Sequence, residues 1–149
     1  MAKAPVKPLP DQSTVARYVG YSKLRRDKHG EAVGVLHTAF SLRPNEATLS
    51  AAHLDHFNGT RIDKLSALKV AYDPHPLVVK PNGAFTLGNV AEIKGTCETY
   101  GRTIRIVNAP SKHLDCYVEV RQFKDDVVDL LAILADETWS DFTVVRDIP

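Results

Sequence analysis

The chain has 149 residues, of which 44% are hydrophobic, and its formal net charge at pH 7 is +1. This length and apolar content suit one domain that buries its own core without disulfides or structural metals. No stretch approaches the roughly 18 apolar residues of a membrane span, and no apolar targeting segment follows the N-terminus. Cys97 and Cys116 are the only cysteines. We therefore expect a cytoplasmic protein with reduced thiols that does not contact a membrane.

Charge is distributed unevenly along the chain. Residues 1–30 carry seven basic and two acidic side chains, whereas the remainder is net acidic. Lys23, Arg25, Arg26 and Lys28 are candidates for nucleic-acid binding, because cations displace the counterions of phosphates. They are not interleaved with aromatic residues as in single-strand binders, so we favour the alternative of a solvated turn.

The first third of the chain predicts an arm followed by a strand. Residues 1–12 contain three prolines and little to bury, which predicts a flexible Pro/Lys-rich arm ahead of a single domain over 13–149. The pattern of 13–21 suits a helix and a strand equally. Residues 32–42 are rich in β-formers and predict a strand that Pro44 ends.

Two helices are expected next. Ser50 can cap a short helix over 51–57, which Gly59 would end. Thr60 and Asp63 resemble a capping box, and the apolar spacing after them predicts a longer helix up to the Asp-Pro-His-Pro sequence. The two helices would form a hairpin against a sheet.

The second half adds strands and a further long helix. The expected elements are a hairpin over 77–90 with an Asn-Gly turn of positive φ, a short helix ending at Gly101, strands at 103–107 and 116–120, and a helix from Asp125 to Thr138. The fold class is therefore α+β: a single domain with a mixed, mostly antiparallel sheet covered by two or three helices.

The C-terminal segment has two interpretations. It can add an edge strand to the sheet, or it can offer apolar side chains to another chain. The candidate partner-binding residues are Trp139, Phe142, Val144 and Val145.

Arg43, His113, Asp115 and His37 are the candidate catalytic or ligand-binding residues. If the segment before residue 116 opens into a strand, His113 and Asp115 project to the same side, where the carboxylate can orient the imidazole as a general base. His37 and Arg43 would face them, and such a group suits a phosphate or ribose. We favour the alternative, in which Arg43 pairs with Glu46 or Asp115 and only fixes the loop.

His53 and His56 are the candidate metal ligands. At helical spacing they share a face and can hold one ion. The order of a zinc hydrolase motif is missing, so we favour ordinary surface histidines and expect no cofactor. The nucleophile elbow and the familiar phosphate-binding loops are also missing, which disfavours nucleotide hydrolysis and acyl transfer by known routes.

Three segments carry a resemblance to other proteins. They are RPNEATLSAAHLDHF, NGAFTLGNVAEI, and SKHLDCYVEV with the following FKDDVVDLLAILADE. Across about residues 43–137 they resemble a family of small uncharacterised bacterial proteins without an established activity. The resemblance implies an accessory protein encoded beside a larger partner, including defence or toxin–antitoxin genes.

These observations favour a non-enzymatic binding protein, an accessory subunit of a larger bacterial assembly. It would contact a larger protein partner, or a second copy of itself, through the C-terminal segment and the basic arm. One alternative is a small enzyme or ligand-binding domain for a phosphorylated or nucleotide substrate, using Arg43, His113 and Asp115. The other is nucleic-acid binding through the basic N-terminal segment.

Overall fold

Seven of the nine strands in the computed structural model, which describes residues 6–149, form one antiparallel sheet. The strands are β1 (Lys7–Pro8), β2 (Thr14–Val19), β3 (Leu24–Arg26), β4 (Ala32–Val35), β5 (Leu49–His53), β6 (Ala84–Asn89), β7 (Arg105–Asn108), β8 (Tyr117–Arg121) and β9 (Asp141–Val144). The helices are α1 (Arg61–Ala71), α2 (Val90–Thr99) and α3 (Val128–Ile133), the last continued by π-helical turns at Leu134–Thr138.

The order of strands in the sheet is β1-β7-β8-β5-β2-β6-β9, while β3 and β4 form a separate two-stranded ribbon. Every neighbouring pair is antiparallel. The predicted α+β class, with a mostly antiparallel sheet and two or three covering helices, is confirmed. None of the helices in residues 6–149 has the length and apolar character needed to cross a membrane.

Helices cover both faces of the sheet. On one face, α1 contributes Leu65 and Leu68 to a smaller core that also contains Tyr72 and Phe85. On the other face, α2 and α3 lie over a larger core that contains Trp139. The two cores share the sheet because successive side chains of a strand point to opposite faces.

Several local predictions are confirmed. Thr60 Oγ1 accepts a hydrogen bond from the Asp63 amide (3.3 Å), and the Asp63 carboxylate accepts one from the Thr60 amide (3.0 Å), so the capping box at the start of α1 is complete. Helix α2 ends just before Gly101, whose φ of 72° is the left-handed conformation that glycine favours. The ambiguous segment 13–21 contains strand β2.

The short helix expected over 51–57, and with it the helical hairpin, is wrong. The chain instead forms β5 and then a 3-10 turn at Leu54–His56. Strand β5 pairs with β8 along its length and with β2 at one end. Ala51 and Ala52 are both buried, one in each core. Their small side chains let a central strand pass between two packed layers, which outweighs their helix propensity.

The hairpin expected over 77–90 is also wrong. Only β6 forms, residues 77–80 are not a strand, and neither Asn82 nor Gly83 has a positive φ. Both edges of β6 are occupied, by β2 on one side and β9 on the other. A strand preceding β6 therefore has no free edge to pair with.

Two boundaries differ from the predictions. The strand expected over 32–42 ends at Val35 and gives way to a 3-10 turn at His37–Phe40, which buries Phe40. The helix expected from Asp125 begins only at Val128, because the Asp125 carboxylate accepts the Leu42 amide (2.8 Å) from outside the helix.

Part of the expected flexible arm belongs to the sheet. Lys7 and Pro8 pair with β7, and Leu9 is buried in the larger core. Burial of this leucine explains why the arm is held from residue 7 onward. Residues 1–5 of the predicted arm lie outside the described part of the chain.

Candidate functional site

The candidate site lies where β2 and β5 separate. The two strands pair only at Val15 with His53 and at Ala16 with Ala52. Beyond these pairs the Arg17 side chain bridges the gap.

Arg17 is tied to the backbone on both sides of this gap. Its Nε donates a hydrogen bond to the Ala39 carbonyl (3.0 Å), and its Nη1 donates one to the Ser50 carbonyl (2.6 Å). The guanidinium thus replaces the strand pairing that β2 no longer provides. Nη2 makes no hydrogen bond to the residues that the structure describes.

A cavity of about 630 Å³ opens at this point. We call it the Arg17 cavity. Its walls come from β2, the loop 38–46, β5, the C-terminal end of α1, the loop 75–78 and the start of β8. Its lining includes Arg17, Tyr18, Lys23, Arg43, Glu46, Ser50, Tyr72, His75, Pro76, Leu77, Val78 and Tyr117.

Positive charge in the cavity exceeds negative charge. Arg17, Arg43 and Lys23 line it, and Glu46 is the one acidic residue among its walls. Arg17 makes no ion pair with any residue in the range 6–149. Burial lowers the pKa of Arg17, and Glu46 offsets this only in part. An enclosed cation without a paired anion is energetically costly, and a bound anion would relieve that cost.

Hydroxyl groups surround the guanidinium. The Ser50 and Tyr117 hydroxyl oxygens lie 3.1 Å apart and share a hydrogen bond. Tyr72 is only 5% exposed, and its hydroxyl makes no hydrogen bond within the described chain. Burial raises the pKa of Tyr72, so this hydroxyl stays protonated and can donate to a ligand.

His75 is neutral and is held in one tautomer. Its Nδ1 accepts the Leu77 amide (3.0 Å), which leaves the proton of the neutral ring on Nε2. Burial, and secondarily His113, lower the pKa of His75, so the ring is neutral at pH 7. The ring centroid lies 5.3 Å from that of Tyr72 and 6.4 Å from that of Tyr117.

Only one of the four candidate catalytic residues lines this cavity. Arg43 does so, although it is the Arg43 amide, rather than the guanidinium, that bonds Glu46 (2.8 Å). The His113 ring lies 6.4 Å from the His75 ring behind the wall, whereas Asp115 and His37 are exposed elsewhere.

The strand that should have aligned His113 with Asp115 does not form. Residues 111–116 make a turn in which the Ser111 hydroxyl accepts the amides of His113 and Leu114 (3.3 and 3.1 Å). The hydroxyl of Ser111 thereby competes with strand pairing. The alternative in which Arg43, His113 and Asp115 converge on one ligand is therefore wrong.

The helical spacing that made His53 and His56 candidate metal ligands is absent, because β5 and a turn replace the helix. His53 ends β5, whereas the His56 ring packs edge-on against Phe57 at 5.0 Å. Asp55 already accepts the Thr14 amide (2.8 Å) and the Lys64 ammonium (3.0 Å). No group of three or more metal-ligating side chains occurs in the described residues.

Two of the four candidate partner-binding residues are buried. Trp139 is fully enclosed, and its Nε1 donates to the Thr86 carbonyl (3.0 Å). Val145 is 2% exposed in the smaller core. Both are therefore unavailable to a partner. Phe142 and Val144 lie on β9, which forms the edge strand that was the other prediction for this segment, and they are partly exposed.

The four basic candidates for nucleic-acid binding have different surroundings. Lys23 lines the Arg17 cavity. Arg25 lies 3.6 Å from Asp136, and the Arg26 guanidinium lies 4.3 Å from the centroid of the Tyr21 ring. The remaining residue, Lys28, is exposed in the turn between β3 and β4.

A second cavity, of about 440 Å³, differs in its electrostatics. Its two cations are already paired: Arg61 makes two hydrogen bonds to Asp141 (2.8 and 2.9 Å), and Lys64 pairs with Asp55 (3.0 Å). Glu92 and Glu137 add two further carboxylates to the lining, so negative charge exceeds positive charge in this cavity. The Arg17 cavity is therefore the stronger candidate for an anionic ligand.

The cysteines do not provide a nucleophile. Cys97 lies in the larger core and Cys116 in the smaller core, on opposite faces of the sheet, and both are free and buried. Burial raises the pKa of each thiol to about 11. Both are accordingly protonated, unreactive thiols at neutral pH.

Arg17 is not among the candidates named from the sequence, although the sequence carries a signal for it. In the strand TVARYV, side chains alternate between the two faces, so Arg17 lies on the same face as Val15 and Val19, which are both buried. A charge at a position of this buried series is a signal for a site. Tyr72 and Tyr117 gave no comparable signal, because each also suits an ordinary core position.

Comparison with protein-family models, with curated proteins and with solved structures finds no match to this chain.

Proposed function

We propose that the protein is a binding domain whose Arg17 cavity takes a small anionic ligand. The observation that carries the proposal is the enclosed Arg17 guanidinium, which faces a cavity of about 630 Å³ without an ion-pair partner in residues 6–149. Pockets of roughly 300–1,000 Å³ are typical for small organic ligands.

The surroundings of Arg17 support an anion more than a cation or a neutral compound. Arg43 lies close enough to lower the Arg17 pKa further by charge repulsion. The Tyr72 hydroxyl adds a donor, since it makes no hydrogen bond to a described residue and stays protonated. Hydrogen bonds between a cation and an anionic oxygen are roughly twice as strong as neutral ones.

Isothermal titration calorimetry with ribose 5-phosphate, and with ribose as the uncharged comparison, tests the proposal. We expect saturable binding of ribose 5-phosphate that weakens as salt increases, and no binding of ribose. Arg43→Gln should weaken binding by about tenfold, which corresponds to about 1.4 kcal/mol. Arg43 is exposed and its side chain makes no hydrogen bond to the described residues, so this variant should fold normally.

Arg105→Gln is the matched control. Arg105 is exposed on β7 and lines neither cavity, yet the substitution removes the same charge. Equal loss of binding in both variants would mean that only net charge matters. That result, or no binding of inorganic phosphate, ribose 5-phosphate or AMP at millimolar concentration, would contradict the proposal.

A second candidate function is contact with a protein partner through β9. Strand β9 is an edge of the sheet that pairs with β6 only, within the described residues, and such edges can accept another strand. Light scattering after size exclusion should then give a mass above the 16.5 kDa of one chain, or affinity capture should return a partner. A monomer without a captured partner would contradict it. The link to a bacterial defence or toxin–antitoxin assembly stays a prediction.

A further inference from the structure

The lining of the Arg17 cavity combines two chemically different sets of residues. The first, which we call the polar end, is the Arg17 guanidinium with the hydroxyls of Ser50, Tyr72 and Tyr117. The second, which we call the apolar end, is the loop 76–78 with Pro76, Leu77 and Val78. Val78 is 67% exposed, one of the few large apolar side chains on the described surface that are so open. An exposed apolar side chain in the lining of a charged cavity is the contact expected for a ligand with an apolar body.

The apolar end is a fixed wall. The His75 amide donates to the Tyr72 carbonyl (3.0 Å), and the Leu77 amide donates to His75 Nδ1 (3.0 Å). The Lys80 amide donates to the Tyr18 hydroxyl (3.0 Å), which anchors the loop to β2. A wall held in this way can offer a preformed surface to a flat ring, because little conformational entropy is lost on binding.

The polar end offers several free donors beside two cations, a combination that suits a doubly charged anion better than a carboxylate. Arg17 Nη2 and the Tyr72 hydroxyl make no hydrogen bond to the described residues. The Ser50–Tyr117 pair retains one further hydroxyl hydrogen, since two hydroxyls share a single bond. Arg43 adds a second cation near Arg17. A tetrahedral phosphate has three terminal oxygens to accept these donors and up to two negative charges to match two arginines.

We propose that the ligand is a phosphate monoester that carries a planar ring, as a nucleoside monophosphate does. The phosphate lies at Arg17, and the ring covers Leu77 and Val78. Glu46 keeps one carboxylate oxygen free beside its bond to the Arg43 amide, which suits a sugar hydroxyl between the two ends. This inference rests on the proposed function and specifies its ligand class.

Calorimetric titration with AMP, ribose 5-phosphate, adenosine and adenosine 5′-carboxylic acid tests the inference. We expect AMP to bind at least about tenfold tighter than ribose 5-phosphate, because only AMP covers the apolar end. Adenosine should bind too weakly to detect. The carboxylic acid should bind about tenfold weaker than AMP, because it brings one negative charge to Arg17 and Arg43 where a phosphate brings up to two.

Val78→Ser should weaken AMP binding severalfold and leave ribose 5-phosphate binding unchanged. Val33→Ser is the control, since Val33 is 49% exposed on β4 and lines neither cavity. Equal affinities for AMP and ribose 5-phosphate, or an unaffected Val78→Ser variant, would overturn the ring contact and leave the anion site standing. Carboxylic acid binding as tight as AMP binding would overturn the phosphate assignment. No binding by any of the charged probes would overturn both this inference and the proposed function.

Discussion

At the scale of single residues, Arg17 has a structural task and, in the proposed function, a binding task as well. Two of its nitrogens hold the carbonyls of Ala39 and Ser50, and so connect the turn after β4 to β5 across the gap in the sheet. Its third nitrogen, Nη2, makes no hydrogen bond to residues 6–149 and is the one that we propose for the ligand. One guanidinium therefore makes the site and the local fold depend on each other, which is why Arg43, with no such structural task, is the better residue to mutate.

His53 and Asp55 make stability depend on pH in two separate windows. Burial lowers the pKa of His53 below its ordinary value of 6.5, more than Asp55 raises it. Burial alone would raise the pKa of Asp55, but the Thr14 amide and Lys64 together lower it below 3.8. In both cases the unfolded chain binds the proton more readily, so acidification favours unfolding. Protonation of His53 lowers the stability below about pH 6.5, whereas protonation of Asp55 lowers it only below about pH 3.8.

We predict that the free energy of unfolding falls as the pH drops from 7.5 to 5.5. His53→Gln should reduce this dependence, because the folded state then no longer excludes that proton, and His75, whose pKa burial also lowers, should account for the part that remains. Urea titrations at several pH values measure the slope. His29→Gln, in the exposed turn between β3 and β4, is the control and should leave the slope as it is. An unchanged slope in His53→Gln would contradict the burial assigned to this ring.

At the scale of elements, α1 could be predicted because its signals are local. Its capping box and its apolar spacing lie within the helix itself. Strand β5 could not, because Ala51 and Ala52 become a strand only through β2 and β8, which lie far away in sequence. The prediction of a hairpin before β6 is wrong for the same reason. The partner that takes the edge of β6 is β2, about seventy residues earlier.

Thr60→Ala should destabilise the protein by about 1 kcal/mol, because the first turn of α1 loses its side-chain cap. Chemical denaturation measures the effect. Thr103→Ala, in the exposed segment before β7, is the control and should change stability little. Equal stability of the Thr60 variant and the wild type would show that packing of Leu65 and Leu68, rather than the cap, fixes the start of this helix.

The candidate site is less predictable than the elements, because its parts come from distant positions. Arg17, Ser50, Tyr72 and Tyr117 meet only when β2, β5, α1 and β8 are assembled. Alternation within β2 can mark Arg17 as unusual, but it does not show which residues surround it. The sequence indicates Arg43 only through its place in a loop. The residues proposed with it, His113, Asp115 and His37, do not line the cavity.

At the scale of the whole molecule, one sheet supports two cores. Strand β2 supplies Val15 to the larger core and Ala16 to the smaller one, and β5 does the same with Ala51 and Ala52. If the strands that line one core unfold, the other core loses the same strands, and its side chains become exposed. The two cores should therefore unfold together.

This coupling predicts one cooperative unfolding transition. Trp139 is the single tryptophan and lies in the larger core, so its fluorescence reports on that side. Far-ultraviolet circular dichroism reports on all helices, including α1 over the smaller core. The two signals should give the same denaturation midpoint. Midpoints that differ would contradict the coupling and would indicate that one layer unfolds first.

The ligand site is tested most directly by a titration of the ¹⁵N-labelled protein with AMP, followed by nuclear magnetic resonance. We predict saturable shifts at the amides of Ala39, Ser50 and Leu77 in the Arg17 cavity, and none at Arg61 or Asp141 in the second cavity. Arg43→Gln should require about tenfold more AMP for the same shifts. Saturable shifts confined to the second cavity or to the β3–β4 ribbon, or no saturable shifts at all, would contradict the assignment of this site.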